Sequence, residues 1–210
     1  MGPRGKFISL EGGEGAGKST QAKLLQATLE SRGRAVVLTR EPGGSPGAEQ
    51  IRKLLVEGEP ERWTPLAETL LFLAARADHV ARLIEPKLAS GTWVISDRFS
   101  DSTFVYQGIA RGLGLKAVRR LQQAALGDVM PDLTIVLDLD PREGLARAAM
   151  RQPKENRFER FDPPFHAALR EGFRAIAARE PERCALVDGS RDAEAVAAGI
   201  WRIVTERLAP

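Results

Sequence analysis

The sequence predicts an α/β fold with a five-stranded parallel sheet and helices on both faces. Short apolar runs of strand length alternate with longer runs of helical periodicity, and polar clusters follow the apolar runs. This alternation is typical of parallel strands joined by right-handed helical crossovers. A chain of 210 residues with 43% hydrophobic residues can fill such a core. We therefore expect a single domain over residues 1–210.

A glycine-rich turn joins the first strand to the first helix. The apolar run within residues 5–11 leads into Gly12-Gly13-Glu14-Gly15-Ala16-Gly17-Lys18-Ser19-Thr20, which contains the complete phosphate-binding loop pattern. Glycines let consecutive backbone N–H groups converge on anionic oxygens, and the helix adds the positive end of its dipole. Lys18 supplies a cation for the β- and γ-phosphates, and the Ser19 hydroxyl is suited to Mg²⁺. The alternative is a turn without a ligand, but the complete match between strand and helix favours a nucleotide site.

The first half of the chain continues with helix and strand signals in alternation. A helical stripe from Ser19 to Arg32 stops at Gly33, and a buried strand follows over residues 34–39. A short amphipathic helix is predicted over residues 47–57. Thr64-Pro65 then starts a long helix to about Leu88, which Pro86 should bend or end. Residues 70–75 are apolar on nearly all sides, so we expect this helix to be covered by the sheet and by a second subunit.

The second half repeats the same alternation. A third strand covers residues 92–96, a polar connection covers residues 100–108, and a helix over residues 115–126 closes at Gly127. The fourth strand covers residues 133–137, and Asp140 can cap the next helix. A charged stretch over residues 152–160 precedes a helix from Pro163 to about Arg179. A fifth strand over residues 185–187 and a helix over residues 192–208 complete the prediction.

Each predicted strand is followed by a polar cluster. The carboxyl ends of parallel strands share one edge of the sheet, where ligands bind in open α/β folds. We therefore expect one site to form from clusters that are distant in sequence: residues 12–19, Arg40-Glu41, Asp97-Arg98, Asp138 with Asp140, and Asp188-Gly189-Ser190.

The clusters after the strands narrow the class of nucleotide-binding protein. A GTPase needs a guanine-reading Asn-Lys-x-Asp stretch, which the sequence lacks, and a translocase would follow Asp97 with a second acid instead of Arg98. An arginine at this point can hold a second anion, which indicates a phosphorylated acceptor. A phosphate monoester has a second pKa of about 6, so its oxygen is a nucleophile at neutral pH without a general base.

Composition bears on location and partners. No apolar run is long enough to cross a bilayer, and residues 1–6 lack an apolar signal core, so we expect a cytoplasmic protein without a membrane partner. The net charge is only +3 and basic residues are spread along the chain, which does not indicate a nucleic-acid partner. Cys184 is the single cysteine, and we interpret it as a buried strand residue.

Four sequence motifs together resemble those of bacterial thymidylate kinases. They are Thr39-Arg-Glu-Pro-Gly-Gly44, Phe72 with Ala74-Ala-Arg76, Asp97-Arg98-Phe99 continuing through Ser102 to Tyr106-Gln107-Gly108, and Asn156-Arg-Phe-Glu159. The similarity covers almost the whole chain, with the motifs in family order. It implies a P-loop kinase fold, an arginine-bearing lid at about residues 148–162, a homodimer, and transfer of the γ-phosphate of Mg-ATP to dTMP, giving dTDP and ADP.

The resemblance also implies roles for the acceptor site. Phe72 would stack on thymine, while Arg76 and Gln107 would read its polar edge. The remaining implied acceptor residues are Thr103 beside the base, Tyr106 against the sugar, Arg98 and Arg40 on the acceptor phosphate, Glu14 near the sugar and phosphate, and Pro42 in the same set.

On the donor side, the resemblance adds Arg147 beside the adenine and the ATP phosphates, Asp97 as a ligand of the metal or of its water, and Arg157 as the lid arginine that reaches the transferred group. With the loop, the expected nucleotide-binding set is Gly12, Gly13, Gly15, Ala16, Gly17, Lys18, Ser19, Thr20 and Arg147. The expected catalytic set is Lys18, Arg98, Arg157, Glu14 and Asp97, and the metal set is Ser19 and Asp97.

Other interpretations of these residues stay open at this point. Phe72 could be a core residue, Arg40-Glu41 a local ion pair, Asp97-Arg98 a strand-end salt bridge, and Tyr106 a packing residue. We interpret Arg142, Arg151 and Arg160 as solvated charges and His79 and His166 as structural or surface residues. Departures from the family pattern occur at Ser45, Phe99, Pro153, Glu155 and Asn156, and those in the lid leave the role of each lid arginine open. Rival functions are the same chemistry on dUMP, dCMP or a deoxynucleoside, and a nucleic-acid-dependent ATPase.

Overall fold

A parallel sheet organises the part of the chain that the structure describes, residues 3–150 and 156–210 of a computed structural model. Its strands have the order β2-β3-β1-β4-β5, so the prediction of a five-stranded parallel sheet is confirmed. Their bounds are β1 (Phe7–Gly12), β2 (Val36–Arg40), β3 (Trp93–Asp97), β4 (Leu133–Asp138) and β5 (Cys184–Asp188).

Helices connect the strands and cover both faces of the sheet. They are α1 (Lys18–Glu30), α2 (Pro46–Val56), α3 (Pro65–His79), α4 (Glu85–Ala89), α5 (Ser100–Thr103), α6 (Leu115–Leu126), α7 (Pro141–Ala149), α8 (Pro163–Arg179) and α9 (Ala193–Leu208). The predicted cap of α7 is confirmed, because Asp140 Oδ1 accepts a hydrogen bond from the Arg142 N–H at 2.9 Å.

Alternating side chains of the strands supply the core on each face. Ile8 and Leu10 of β1 pack in a cluster with residues of α1 and α9, whereas Phe7 packs on the other face with α4 and Phe99. This alternation is the two-residue period of a strand buried on both sides. Cys184 lies in the core beside α8, and burial raises the pKa of its thiol to about 12, so it is an inert structural residue.

The long helix predicted from Thr64-Pro65 is present, with one irregularity. The Thr64 hydroxyl accepts from the Ala67 N–H, and the helical backbone continues from α3 through a π-helical turn, Val80–Ile84, into α4. The turn precedes Pro86, which has no N–H to donate to the preceding turn. The helix therefore reaches Ala89 and changes its winding before the proline.

The segment predicted as a polar connection after β3 is helical instead. It forms α5 and a π-helical turn, Phe104–Ala110, and residues 100–108 are buried or half-buried. Most of its polar side chains hydrogen-bond to side chains on other elements, which makes a buried position tolerable: Asp101, Ser102, Thr103, Tyr106 and Gln107. No helix in the described residues combines the length and apolar character that a membrane span requires.

Candidate active site

The phosphate-binding loop lies between β1 and α1, as the sequence predicts. Gly15 and Gly17 adopt positive φ values of 65° and 91°, which glycine accommodates without steric cost. A Cβ atom on Gly15 would overlap the carbonyl group of Gly144 in α7. The loop therefore needs glycine both for its backbone conformation and for its packing against a neighbouring helix.

Lys18 folds back over the loop. Its Nζ donates to the carbonyl oxygens of Gly13 at 2.6 Å and Gly12 at 3.2 Å. Burial, together with the charge of Arg98, lowers the pKa of Lys18 to about 8, despite the opposing effect of nearby carboxylates. The negative charge of a polyphosphate bound at the loop would raise the pKa of Lys18 back toward its usual value.

Ser19 and Asp97 meet at the mouth of the loop. The Ser19 hydroxyl donates to the Asp97 carboxylate, and both residues line one cleft with Lys18 and Thr20. A hydroxyl and a carboxylate oxygen are ligands suited to Mg²⁺. The two residues predicted for the metal are therefore neighbours, although they are separated by 78 positions in sequence.

Arg98 occupies a left-handed backbone conformation at the end of β3, with φ of 73°. This region is uncommon for residues other than glycine. The turn is held by Glu11, whose buried carboxyl group accepts from the Phe99 N–H at 2.7 Å and from the Ser102 hydroxyl at 2.5 Å. Burial and the nearby Asp101 raise the pKa of Glu11 to about 8.

The Arg98 guanidinium contacts the phosphate-binding loop directly. It donates to the Gly12 carbonyl at 2.9 Å and to Glu14 Oε1 at 2.9 Å. Glu14 also accepts from the Tyr106 hydroxyl at 2.6 Å. Burial by itself would raise the pKa of Glu14, but the charges of Arg98 and Lys18 and the Tyr106 hydroxyl outweigh it and lower the pKa to about 2.

We call the cleft lined by Lys18, Ser19, Thr20 and Asp97 the loop cleft. A second cleft of about 660 Å³ adjoins it. All the predicted acceptor residues except Arg40 line it: Glu14, Pro42, Phe72, Arg76, Arg98, Thr103, Tyr106 and Gln107. The two clefts are continuous, because they share five lining residues: Glu14, Glu41, Arg52, Arg98 and Glu159. Arg40 lies on the loop cleft, where it pairs with Glu49 at 3.2 Å.

Arg76 forms the polar wall of the second cleft. Its Nε donates to Glu41 Oε2 at 2.6 Å and its Nη2 to Thr103 Oγ1 at 2.9 Å. Arg76 Nη1 is buried and has no hydrogen-bond partner in the described part of the chain. A buried donor left unpaired is costly, which makes this atom the natural partner of a ligand acceptor.

Several alternative interpretations can now be decided. Arg40-Glu41 is not a local ion pair, because Glu41 pairs with Arg76 and with His79 Nδ1 at 3.0 Å. Asp97 accepts from Ser19, and Arg98 pairs with Glu14. His79 and His166 are buried, as expected of structural residues, whereas Arg142 and Arg160 are exposed.

Arg147 and Arg157 were both predicted to reach the ATP phosphates. Arg147 donates to the Gly189 carbonyl at 3.3 Å, beside the turn after β5. Arg157 is instead 1% exposed and lies away from both clefts. Its guanidinium pairs with buried Glu68 at 2.5 Å and donates to the carbonyls of Leu55, Glu59 and Pro60.

The prediction for Arg157 is therefore corrected. A guanidinium surrounded by a carboxylate and three carbonyls is a structural anchor, because moving it to a phosphate would take the nearest cation away from the buried Glu68. Of the predicted lid, residues 151–155, which include Arg151, Pro153 and Glu155, lie outside the described residues. The described part contributes Phe158 and Glu159 to the second cleft.

Sequence reasoning missed two acidic residues of the site, Glu11 and Glu68, and it placed Glu41 at the edge of the sheet without giving it a role. All are buried and each orients a predicted ligand-binding side chain or its turn. The sequence signal that could have found them is an acid within or beside an apolar run. A buried carboxylate is rare without a partner, so such an acid indicates a buried ion pair or hydrogen bond.

Comparison with known proteins agrees with this site. The Thymidylate kinase family model matches residues 10–200. The Thymidylate kinase of Ruegeria pomeroyi is 50% identical over 208 residues, covering 99% of this chain and 98% of that protein. That of a Jannaschia species is 53% identical over 203 residues, covering 97% of each.

A solved structure is also similar to this chain. The crystal structure of thymidylate kinase from Ehrlichia chaffeensis matches with a TM-score of 0.76 and 33% identity, covering 96% of this chain and 99% of that one. A family match over most of the chain, together with a loop cleft that is continuous with a second cleft, leads to one conclusion: the chain belongs to the thymidylate kinase family.

Proposed function

We propose that the loop cleft holds ATP and that the second cleft, called the acceptor cleft below, holds dTMP. The phosphates of the two nucleotides face each other at Arg98 and Glu14. As a thymidylate kinase, the protein phosphorylates dTMP to dTDP with ATP as donor. The observation that carries the division into two sites is the continuity of the clefts, since Glu14 and Arg98 line both.

On the donor side, backbone amides of residues 12–19 and Lys18 hold the ATP phosphates, and Arg147 lies toward the nucleoside. Ser19 and Asp97 fit Mg²⁺, because their oxygens already converge at the loop. When bound there, the metal would neutralise charge on the phosphates.

On the acceptor side, Phe72 provides an aromatic face and Arg76 Nη1 a free donor for the thymine carbonyl. Tyr106 contacts the sugar region, and Arg98 holds the acceptor phosphate with help from Arg40. The terminal oxygen of dTMP attacks the γ-phosphorus, and the bond from that phosphorus to the bridging oxygen of ADP breaks.

The acceptor needs no general base. A phosphate monoester has a second pKa of about 6, so it is largely deprotonated at neutral pH. Glu14, with its pKa lowered to about 2, stays ionised and acts as an anchor for Arg98 and Tyr106. The chain contributes alignment and charge neutralisation, which dominate phosphoryl transfer.

The proposal extends to assembly and location. Leu66, Leu70 and Ala74 form an exposed apolar stripe at helical spacing on α3, which suits a homodimer interface. A single domain with a lid at about residues 148–162 and a cytoplasmic location remain predictions.

A coupled ADP-release assay over a panel of nucleoside monophosphates tests the function. We expect dTMP to be preferred, with dUMP slower by about 10- to 200-fold because it lacks one methyl group. Cytosine nucleotides should be rejected more strongly, since their amino group would face the Arg76 donor. Equal rates with dTMP, CMP and AMP would contradict the proposal. ATP turnover that responds to DNA and not to dTMP would favour the nucleic-acid-dependent ATPase instead.

A further inference from the structure

A buried carboxylate on α3 lies behind the acceptor cleft and is not among its lining residues. Glu68 is fully buried, and its Oε1 accepts from the Gln107 side-chain amide at 2.9 Å. Its Oε2 lies 2.5 Å from Arg157 Nη2, and Arg111 Nε lies 3.8 Å from Oε1. One carboxylate therefore joins α3, the π-helical turn after α5, and the segment that follows residue 156.

We propose that Glu68 is a positioning residue that fixes the orientation of the Gln107 amide and thereby selects a base with a hydrogen-bond donor at its N3 position. This inference rests on the proposed dTMP site. It assigns Glu68 an effect on substrate choice without direct contact with the substrate.

The hydrogen-bonding capacity of each group fixes which way the Gln107 amide faces. A carboxylate offers only acceptors, so the end of the Gln107 amide that faces Glu68 must be its NH₂ group. Gln107 is almost fully buried and lines the acceptor cleft. Its carbonyl oxygen then lies at the other end of the amide from Glu68, and it is the acceptor that Gln107 can offer to a ligand in the cleft.

Arg157 stabilises the Glu68 carboxylate in this arrangement. The guanidinium neutralises the buried carboxylate and is itself held by the carbonyls of Leu55, Glu59 and Pro60. Glu68 is therefore kept as an acceptor, and an inverted Gln107 amide would set two acceptors against each other. Thymine carries N–H at N3 and matches the carbonyl, whereas cytosine carries a bare nitrogen there and does not.

The decisive measurement is the ratio of kcat/KM for dTMP to that for dCMP, with dissociation constants from calorimetry where dCMP turnover is too slow. Glu68→Gln replaces an acceptor-only group with an amide that can also donate, so Gln107 can turn. We expect this ratio to fall by at least about tenfold, with the dissociation constant of ATP unchanged. A purely structural role would lower both kcat/KM values equally and leave the ratio as in the wild type.

Glu61→Gln is the matched control. Glu61 contacts the same Arg111 at 2.8 Å but its side chain is 78% exposed, so this variant should keep the wild-type ratio. Gln107→Met removes the amide without touching Glu68 and should reproduce the loss of discrimination. The inference would be overturned if Gln107→Met kept the wild-type ratio of kcat/KM for dTMP to that for dCMP. It would also be overturned if Gln107→Met lowered this ratio and Glu68→Gln did not.

A second measurement covers the case in which Glu68→Gln does not fold. In wild-type protein labelled with ¹⁵N-glutamine, the side-chain NH₂ signals of Gln107, assigned by their loss in Gln107→Met, should exchange slowly before and after addition of dTMP. Fast exchange would overturn the role of Glu68. If wild-type protein fails to phosphorylate dTMP in the nucleotide panel, the proposed function fails instead, so the two failures are distinct.

Discussion

Arg98 lies where the two clefts join, and its surroundings hold its side chain in place. Its side chain is 16% exposed and is held by Glu14 and by the Gly12 carbonyl, so the guanidinium is aligned before any ligand binds. Its left-handed backbone directs it across the strand end toward the loop. Preorganised charge of this kind is most effective where phosphate charge builds up.

Replacing Arg98 with alanine should separate the two sites functionally. We expect kcat/KM for dTMP to fall by at least about 100-fold, because charge-assisted hydrogen bonds to the acceptor phosphate are lost. The dissociation constant of ATP should stay close to the wild-type value. Steady-state kinetics and ATP titration measure the two effects, with Arg142→Ala, which removes a 95% exposed side chain, as the control. Equal weakening of ATP and dTMP binding would contradict this division.

Lys18 should make ATP binding sensitive to pH. In the free enzyme its pKa is lowered to about 8, so the ammonium is lost progressively above that pH. ATP binds the protonated form better, and by linkage its dissociation constant should rise above pH 8 by up to about tenfold per pH unit. ATP titrations from pH 6 to 10 measure this dependence.

Glu11 provides the control for that experiment, because its pKa is also near 8. The Glu11→Gln variant removes this second titration and should keep the loss of ATP affinity above pH 8. If the pH dependence disappears in Glu11→Gln, the titrating group is Glu11 and the assignment to Lys18 is wrong.

At the scale of elements, the phosphate-binding loop is shaped by α7 as well as by its own glycines. Gly15 and Gly144 face each other so closely that a Cβ on either would overlap the backbone of the other element. Glycine within a helix is ordinarily destabilising relative to alanine by about 0.5–1 kcal/mol. At Gly144 we expect alanine to be less stable than glycine instead, because the loop approaches the helix backbone too closely for a Cβ atom.

The Gly144→Ala variant tests this close approach. We expect it to lower the free energy of unfolding by about 1–3 kcal/mol and to weaken ATP binding, since the added methyl group displaces the Glu14 carbonyl. Gly199→Ala, in α9, is the control: apart from neighbouring backbone of its own helix, no atom of the described residues lies within 4 Å of its added Cβ. That variant should gain about 0.5–1 kcal/mol. Thermal and denaturant unfolding compare the two, and a stabilised Gly144→Ala protein would refute the steric argument.

At the scale of the whole molecule, the exposed face of α3 sets the expected assembly. Leu66 and Leu70 are 47% and 49% exposed, and Ala74 continues their stripe. The opposite face of the same helix carries Arg76, which lines the acceptor cleft, and Glu68, which is buried behind it. A dimer through this stripe would buttress the helix that supports the acceptor site.

The Leu70→Glu variant should therefore prevent dimer formation. A charge placed in an apolar interface must be desolvated without a partner, so we expect the dimer dissociation constant to rise by at least about 100-fold. Sedimentation equilibrium measures the masses, with wild type at twice the monomer mass. Leu186→Glu, which alters a comparably exposed leucine on β5, should remain dimeric. A monomeric wild-type protein at micromolar concentration would show that the stripe serves another purpose.

The sequence by itself determined the parallel sheet, the phosphate-binding loop and most of the acceptor cleft. Loop residues such as Gly17, Lys18 and Ser19 are contiguous, and their chemistry follows from local spacing between a strand and a helix. Arg98 follows from the polar cluster at the end of a strand, and Phe72 follows from a family motif; both line the second cleft.

Tertiary structure alone decided which charges line the clefts and which are paired away from them. Arg157 and Arg98 are both arginines in polar motifs, yet the first is buried against Glu68 and the second opens onto both clefts. Ion pairs such as Arg76 with Glu41, or Arg157 with Glu68, join residues that are 35 and 89 positions apart. Their formation depends on side-chain distances and on burial, which raises the cost of an unpaired charge, and local sequence patterns contain neither quantity.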